Sequence, residues 1–193
     1  MNQIKKDIFF ETILAQDGQT PNLEYHEQRI FNTISKKIDL SSVLNPPSKG
    51  IFRIKMIYDK NKILETSYFA YQKKRIRKLQ LVYADTIDDS FKYLDRSDID
   101  ALYSKRKDSD EIIIVKNGFI SDTSIANICI FKNNQWITPK IPLLKGTTRE
   151  RLLKNNFIVE KNISIDELIS SKKIALMNAM IGFDIYTDYQ IIV

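Results

Sequence analysis

The stretch from Asp110 to Arg149, DEIIIVKNGFISDTSIANICIFKNNQWITPKIPLLKGTTR, constrains the fold more than any other part of the chain. A run of branched apolar residues, Ile112 to Val115, stops at Asn117-Gly118, and a second, Ile128 to Phe131, stops at Asn133-Asn134 before Trp136 and Ile137. This pattern predicts three strands joined by tight turns, because such pairs tolerate the positive φ that short hairpin turns demand. A plain meander needs neither the polar insert Ser121-Asp122-Thr123-Ser124, followed by Asn127, nor the ending Leu144-Lys145-Gly146-Thr147-Thr148-Arg149. Both clusters read as parts of a site.

Upstream, Ile8 to Leu14, a turn at Asp17-Gly18 and a return strand over Thr20 to Leu23 predict a hairpin. Residues Tyr25, Ile30, Phe31, Ile34 and Ile38 then form a helical stripe, with His26 and Arg29 three residues apart on one face. A helical turn over Leu40 to Leu44 ends at Asn45-Pro46-Pro47, and strands follow over Ile51–Tyr58, Ile63–Tyr71 and Ile76–Ala84. The first half therefore reads as a hairpin, a helix and a small antiparallel sheet, with a domain boundary in the polar run Asp85 to Ser90. Beyond the boundary a helix is expected over Ser97–Lys105. After the meander come a helix over Thr147–Lys154, a strand over Phe157–Glu160, and a helix over Ser164–Ser170 in which Ser164 and Glu167 have capping-box spacing. A strand over Lys173–Asn178 and a last strand or hairpin over Phe183–Val193 complete the chain.

At 193 residues, with 43% apolar content, ten Phe and nine Tyr, the chain can build one large domain or two small ones, and five Gly and five Pro leave little room for linkers. Lys5 and Lys6 precede an apolar run as in a secretion signal, but Asp7 and Glu11 interrupt it and no small-residue cleavage site follows. No apolar stretch is long enough to span a bilayer, and the single Cys129 excludes a disulfide framework. The expected compartment is the cytoplasm. A net charge of +6 suits nucleic acid, a membrane surface or an enzyme of small anions, and does not choose among them.

Several residues carry candidate chemistry. Gly146-Thr147-Thr148-Arg149 puts a glycine and two hydroxyls at a helix start, where free N–H groups and the positive dipole end suit a phosphate; Thr147 as an ordinary cap accounts for the same residues. Arg29 offers a forked cation to that phosphate, or a plain surface charge. His26 reads as a hydrogen-bonded structural residue more readily than as a base. Lys92, between Phe91 and Tyr93, offers a desolvated amine for carbonyl chemistry, although with 30 basic residues in the chain one such lysine is a weak signal. Asp122 is a partner for a buried cation, or a turn residue bonding its own backbone. Tyr71 to Lys78, YQKKRIRK, is a nucleic-acid contact or an edge strand protected by charge.

In order and spacing, five segments resemble the class IV family of pyridoxal-phosphate enzymes, the fold-type IV group that includes branched-chain aminotransferases, D-amino acid aminotransferase and 4-amino-4-deoxychorismate lyase. They are FETILAQDGQTPNLEYHEQRIFNT, SFKYLDRSD, NGFISDTSIANICIF, TPKIPLLKGTTRERLL and NAMIGFD, running from Phe10 to Asp184. The resemblance implies pyridoxal 5'-phosphate as cofactor, with Lys92 as the Schiff-base lysine within Lys-Tyr-Leu-Asp-Arg. It implies that Arg29, from the His-x-x-Arg element, binds the cofactor phosphate together with Thr147 and Thr148, and that Asp122 stands where the family has the glutamate that pairs with the pyridine nitrogen. Asn178-Ala179-Met180 is similar to the lyases' element at the cofactor, where the aminotransferases have Gly-Thr-Ala.

The implied fold is α/β of the α+β type, D-amino acid aminotransferase-like, with a small N-terminal domain over 1–88 and a larger barrel-like cofactor-binding domain over 89–193. The implied activity is release of pyruvate and 4-aminobenzoate, a folate precursor, from 4-amino-4-deoxychorismate. Alternatives are a class IV aminotransferase of branched-chain or D-amino acids, and a degenerate relative that binds cofactor without catalysis. Implied partners are a small anionic amino substrate and a second copy of the chain in a homodimer, with no metal, nucleic acid or membrane. Arg53, Lys55, Lys73 and Arg75 are all candidates for the substrate's carboxylate. The sequence departs from the family in two ways. The usual opening strand pair and the usual length between Tyr58 and Lys92 are missing, which implies a more open pocket, and the Asp122 carboxylate is one methylene, roughly 1.5 Å, shorter than glutamate.

Overall fold

The computed structural model describes residues 8–88 and 90–193, so the start at Lys5 and Lys6 and position 89 of the polar run lie outside the described residues. Strand β1 (Phe9–Gln16) alternates, and its Phe9, Ile13 and Ala15 join Ile30 of helix α1 (Leu23–Ile34) in one apolar cluster. Leu40 of the short helix α2 (Leu40–Val43) and Ile54, Met56 and Tyr58 of strand β2 (Ile51–Tyr58) complete it. The sheet order is β1-β2-β3, with β3 spanning Ile63–Ala70, and both pairings are antiparallel.

The expected return strand over Thr20–Leu23 does not form. Asp17 (φ 48°) and Gly18 (φ 81°) do turn the chain, but Gln16 and Gln19 make only an isolated bridge, and Asn22 (φ 61°) leads straight into α1. Strand β1 pairs instead with β2 along its whole length, from Phe9 opposite Tyr58 to Gln16 opposite Ile51. A four-residue return could not satisfy an eight-residue strand. The other edge of β1 takes the segment Phe91–Asp95, where the Phe10 amide donates to the Lys92 carbonyl (3.0 Å) and the Leu94 amide to the Ile8 carbonyl (2.9 Å).

The described chain divides into two compact units. The first takes the residues up to Lys73 and then Phe91–Asp95; the second takes Lys74–Ser90 and Arg96–Val193. This differs from the single expected boundary at 88/89, because strand β4 (Lys78–Tyr83) pairs in parallel with β5 (Glu111–Lys116) of the second unit and not with β3. Residues 71–77 are no edge strand but a connection. The Asp110 carboxylate accepts the amides of Arg77 (2.7 Å) and Lys78 (2.9 Å) at the entry to β4.

In the second unit the meander has four strands where three were expected: β5, β6 (Phe119–Thr123), β7 (Asn127–Lys132) and β8 (Gln135–Pro139). Asn117-Gly118 and Asn133-Asn134 make the tight turns, all four with positive φ. The polar residues Ser121 to Thr123 are the end of β6. With β9 (Ile158–Lys161), β10 (Ile174–Asn178), β11 (Gly182–Tyr186) and β12 (Gln190–Ile192), the sheet runs β11-β10-β7-β6-β5-β4-β12, and β8 and β9 branch from β7. The chain end is therefore two separated strands, since β11 pairs with β10 and β12 lies parallel to β4.

Helices α3 (Ser97–Tyr103), α4 (Thr147–Lys154) and α5 (Ile165–Ser170) flank this sheet. The predicted capping box at Ser164 and Glu167 is present. Helix α4 packs Leu152 against Cys129, Ala175 and Met177, which share one sheet face because Ala175 lies opposite Cys129 and Met177 opposite Asn127. Among the described residues no helix is long and apolar enough to cross a membrane.

Candidate active site

The second unit's polar cluster is built on the hairpin between β6 and β7. Asp122 lies opposite Asn127 in register. The connecting residues 124–126 are closed by Thr123, whose hydroxyl accepts the Ala126 amide (2.9 Å) and whose amide donates to the Ala126 carbonyl (2.9 Å). Three side chains then clamp this turn. Arg96 donates to the Ser124 carbonyl (2.7 Å), Asn178 to the Ile125 carbonyl (3.1 Å), and the Ser124 amide donates to the buried Glu111 carboxylate (3.3 Å).

Asp122 is 4% exposed, and its carboxylate accepts only neutral donors: Asn127 Nδ2 at 2.8 Å and the Leu144 amide at 3.0 Å. Burial pushes its pKa up to about 6, against the lowering effect of those two donors and of the more distant Arg149 charge. No cationic side chain among the described residues pairs with it. A buried carboxylate in this condition favours any cationic group that can reach it.

Beside it stands the start of α4. No side chain caps this helix, and the first bond closing it is from the Glu150 amide to the Gly146 carbonyl (2.9 Å), which leaves the preceding amides as donors. Thr147 and Thr148 are both buried, and neither hydroxyl has a hydrogen-bond partner among the described residues. Thr147 is thus no cap, and the donors remain available to an anion. Gly146 has an ordinary φ of −70°; glycine is needed because an added Cβ would meet Asn127 Oδ1 at 2.1 Å. Arg149 turns inward, donating to the Pro139 carbonyl (3.0 Å) and to Glu160 (2.5 Å), so it ties α4 to β8 and β9.

The first unit holds a second cluster. Glu11, on the α1 side of β1, is fully buried; it accepts from His26 Nδ1 (2.6 Å), from Arg29 Nε (2.8 Å) and from Arg29 Nη2. Burial alone would raise the Glu11 pKa strongly, but the Arg29 charge and the His26 hydrogen bond outweigh it and hold the carboxyl at about 2. Burial likewise pushes His26 down, helped by the charges of Arg29 and Lys92, so the imidazole is neutral near pH 7. Arg29 is therefore not the isolated surface cation its helix position suggested. Lys92 is half-buried on the segment added to β1, with its Nζ 4.6 Å from the centre of the Phe10 ring.

The predicted residues therefore fall into two groups: Asp122, Thr147, Thr148 and Asn178 in the second unit, Arg29 and Lys92 in the first. Asn178 spends its oxygen on the amides of Met180 (2.9 Å) and Ile181 (3.0 Å), and so acts as a clamp of the turn. Glu11, Glu111 and Arg96 escaped the sequence reading, whereas Asn127 was read as part of the polar cluster after β6. Arg96 closes the quoted Lys-Tyr-Leu-Asp-Arg element, and Glu11 interrupts an apolar strand at a core-facing position; both signals were available.

Comparison with known proteins identifies the class. Residues 66–184 match the family model "Amino-transferase class IV", and the chain belongs to that family. A crystal structure from Haemophilus somnus 129PT with the provisional name 4-amino-4-deoxychorismate lyase is 34% identical, covers 94% of this chain and 99% of its own, and superposes with a TM-score of 0.84. An uncharacterised protein of Haemophilus influenzae is 34% identical over 90% of this chain and 97% of its own length. A hypothetical aminotransferase of Mycobacterium tuberculosis, solved in a PLP-bound form, shares the fold at 16% identity, covering 97% of this chain and 82% of its own with a TM-score of 0.77. The fold is that of the fold-type IV enzymes.

Proposed function

We propose that the chain is a pyridoxal-phosphate-dependent lyase that releases pyruvate and 4-aminobenzoate from 4-amino-4-deoxychorismate, working as a homodimer on this small anionic amine. The observation that carries the cofactor assignment is Asp122: a buried carboxylate with neutral donors only, beside a helix start whose amides and two threonine hydroxyls have no partner among the described residues. That donor set fits a molecule with a cationic ring nitrogen and a phosphate. Thr147, Thr148 and the first amides of α4 would hold the phosphate, and Asp122 would hold the proton on the ring nitrogen. When bound, the cofactor supplies an electron sink for the carbon next to the substrate's amine.

The chain's own residues do the rest. Lys92 Nζ takes the proton from the amine-bearing carbon and returns one to the departing enol, and the Phe10 ring beside it limits its hydration. Asp122, ionised above pH 6, keeps its partner proton in place through the reaction. Arg96, Glu111 and Asn178 fix the turn after Asp122, so the carboxylate cannot swing away. The lyase is preferred to an aminotransferase on two supports: the Asn178-Ala179-Met180 element, and the provisional name of the Haemophilus somnus protein.

The test is spectroscopic and then chemical. Purified protein given pyridoxal phosphate should show a visible yellow band that Lys92→Ala abolishes, and it should release pyruvate from amino-deoxychorismate without a keto-acid acceptor. Turnover that requires an acceptor identifies an aminotransferase instead. A colourless protein that takes up no cofactor ends both readings.

A further inference from the structure

The sequence leaves two uses for residues 71–78, YQKKRIRK: an edge strand guarded by charge, or a contact for nucleic acid. The structure removes the first. Only Lys78 of the run lies in a strand, and that strand, β4, has β5 along one edge and β12 along the other. In the folded chain these cations therefore guard no open edge. Within the second unit the run from Lys74 onward is fixed in place by Asp110. The Asp110 carboxylate accepts the Arg77 and Lys78 amides, its own amide donates to the Lys78 carbonyl (2.9 Å), and its carbonyl accepts from Lys74 Nζ (2.5 Å).

The same bonds bring in a second basic run. Tyr103 ends α3, a 3-10 turn over Ser104–Arg106 follows, and Lys107 comes next. Lys74 Nζ donates to the Tyr103 hydroxyl (2.9 Å) and lies 5.4 Å from the centre of its ring, and the Arg106 guanidinium lies 4.2 Å from that centre. Lys74, Arg75, Arg77, Lys78, Lys105, Arg106 and Lys107 thus gather on one part of this unit, all exposed but the half-buried Arg106. Of these, only Arg77 has an ion-pair partner among the described residues, Asp188 at 4.0 Å, whose side chain is 93% exposed. Asp110 is the acid bonded into the cluster, and hydrogen bonds from the Lys78 and Arg77 amides hold its carboxyl below the usual carboxylate range. Single exposed cations are ordinary. Two basic runs distant in sequence and locked to one aspartate and one tyrosine are not, because like charges fixed this close repel unless an anion lies over them.

We propose that this part of the second unit binds the phosphate backbone of a nucleic acid, without regard to base sequence. Cations spread over two exposed segments suit a chain of charges better than one small anion, which touches only a few of them. Tyr103, the aromatic ring within the cluster, is already taken by Lys74 and Arg106, so it offers no free face for a base to stack on. Phosphate contacts of this kind hold a strand in place and carry no sequence information. A bilayer is the poorer partner, since Ile76, the apolar residue between Arg75 and Arg77, is only 3% exposed and nothing beside the charges is free to insert. Neither segment carries a residue of the cofactor site, so this surface stands or falls apart from the lyase reading.

The probes are two fluorescein-labelled single strands of unrelated sequence, each about 20 nucleotides long, titrated with the purified full chain by anisotropy from about 50 to about 200 mM salt. One variant combines Arg77→Gln, Lys105→Gln and Lys107→Gln. A control variant combines Lys36→Gln, Lys37→Gln and Lys49→Gln, which removes the same charge from exposed positions of the first unit. Circular dichroism checks the fold of both. Wild type should bind the two strands within about threefold of each other, with log affinity falling against log salt at a slope of about −4 to −5. The second-unit variant should bind about tenfold or more weakly at low salt and flatten that slope by about 2, while the control stays within about threefold of wild type. If the triple variant does not fold, Lys105→Gln alone carries the test with about a threefold loss. No binding by wild type up to about 100 µM protein, an equal loss in the two triple variants, or about a tenfold preference for one sequence overturns the proposal. Capture by phosphatidylserine vesicles without strand binding overturns it in favour of a membrane surface.

Discussion

Glu11 and Asp122 are both acids buried on a strand, one in each unit, and their surroundings drive ionisation in opposite directions. Glu11 is enclosed with a guanidinium and an imidazole, and is held at about 2 even though burial opposes it. Asp122 is enclosed with an amide side chain and a backbone amide, and burial takes it to about 6. The first is complete within its own unit and braces β1 against α1. The second lacks a positive partner, which is the condition expected of a group whose partner is a ligand.

The largest effect should come from removing the complete pair. Glu11→Ala strands the Arg29 charge, whose side chain is 14% exposed, and should cost about 3–5 kcal/mol, read as a lower denaturation midpoint at unchanged slope. A loss below about 1 kcal/mol would show that Glu11 is not an internal brace.

Acidity separates the two carboxylates next. Asp122 binds its proton more tightly in the folded than in the unfolded chain, so in cofactor-free protein its contribution is fully favourable below about pH 4 and is lost as pH rises toward 6, by about 3 kcal/mol. Glu11 binds its proton less tightly when folded, so its contribution is present above about 4.5 and is lost as pH falls toward 2, by about 3 kcal/mol. Urea titrations from pH 7 to 3 should therefore show stability rising as pH falls to about 4.5 and dropping below that. Asp122→Asn should flatten the first limb and keep the second; an unchanged first limb in that variant would assign it elsewhere.

The smallest effect sharpens the comparison most. Thr148→Val removes a hydroxyl with no partner among the described residues, so cofactor-free stability should move by no more than about 0.5 kcal/mol while pyridoxal-phosphate affinity, read by equilibrium titration, falls about tenfold. A stability loss above 1 kcal/mol would make that hydroxyl structural.

Elements whose ends are encoded locally were legible in the sequence. Gly146-Thr147 marked the start of α4 to the residue, and Ser164 with Glu167 marked that of α5. His26 and Arg29 were readable as one helix face, but their common partner was not, because a carboxylate in a strand looks solvent-facing until residues 15 and 18 positions away bury it. Strand β4 was legible as a strand and not by its partners, since β5 and β12 come from far along the chain. The Ser121 to Thr123 run looked like an insert because polarity hides a strand whose hydrogen bonds serve a site. Gly146 was read only as part of the helix start; that glycine is required there was not legible, because the crowding comes from Asn127.

The triple passage of the chain between units sets a schedule for its synthesis. Strand β4 leaves the ribosome early, yet its parallel neighbour β5 follows only after α3, and β12, which covers its other edge, emerges last of all. Parallel partners so distant in sequence meet slowly, and meanwhile Leu79, Leu81 and Val82 form an uncovered sticky segment. Lys73, Lys74, Arg75, Arg77 and Lys78 stand immediately ahead of it, where like charge keeps nascent copies apart until the strand is enclosed.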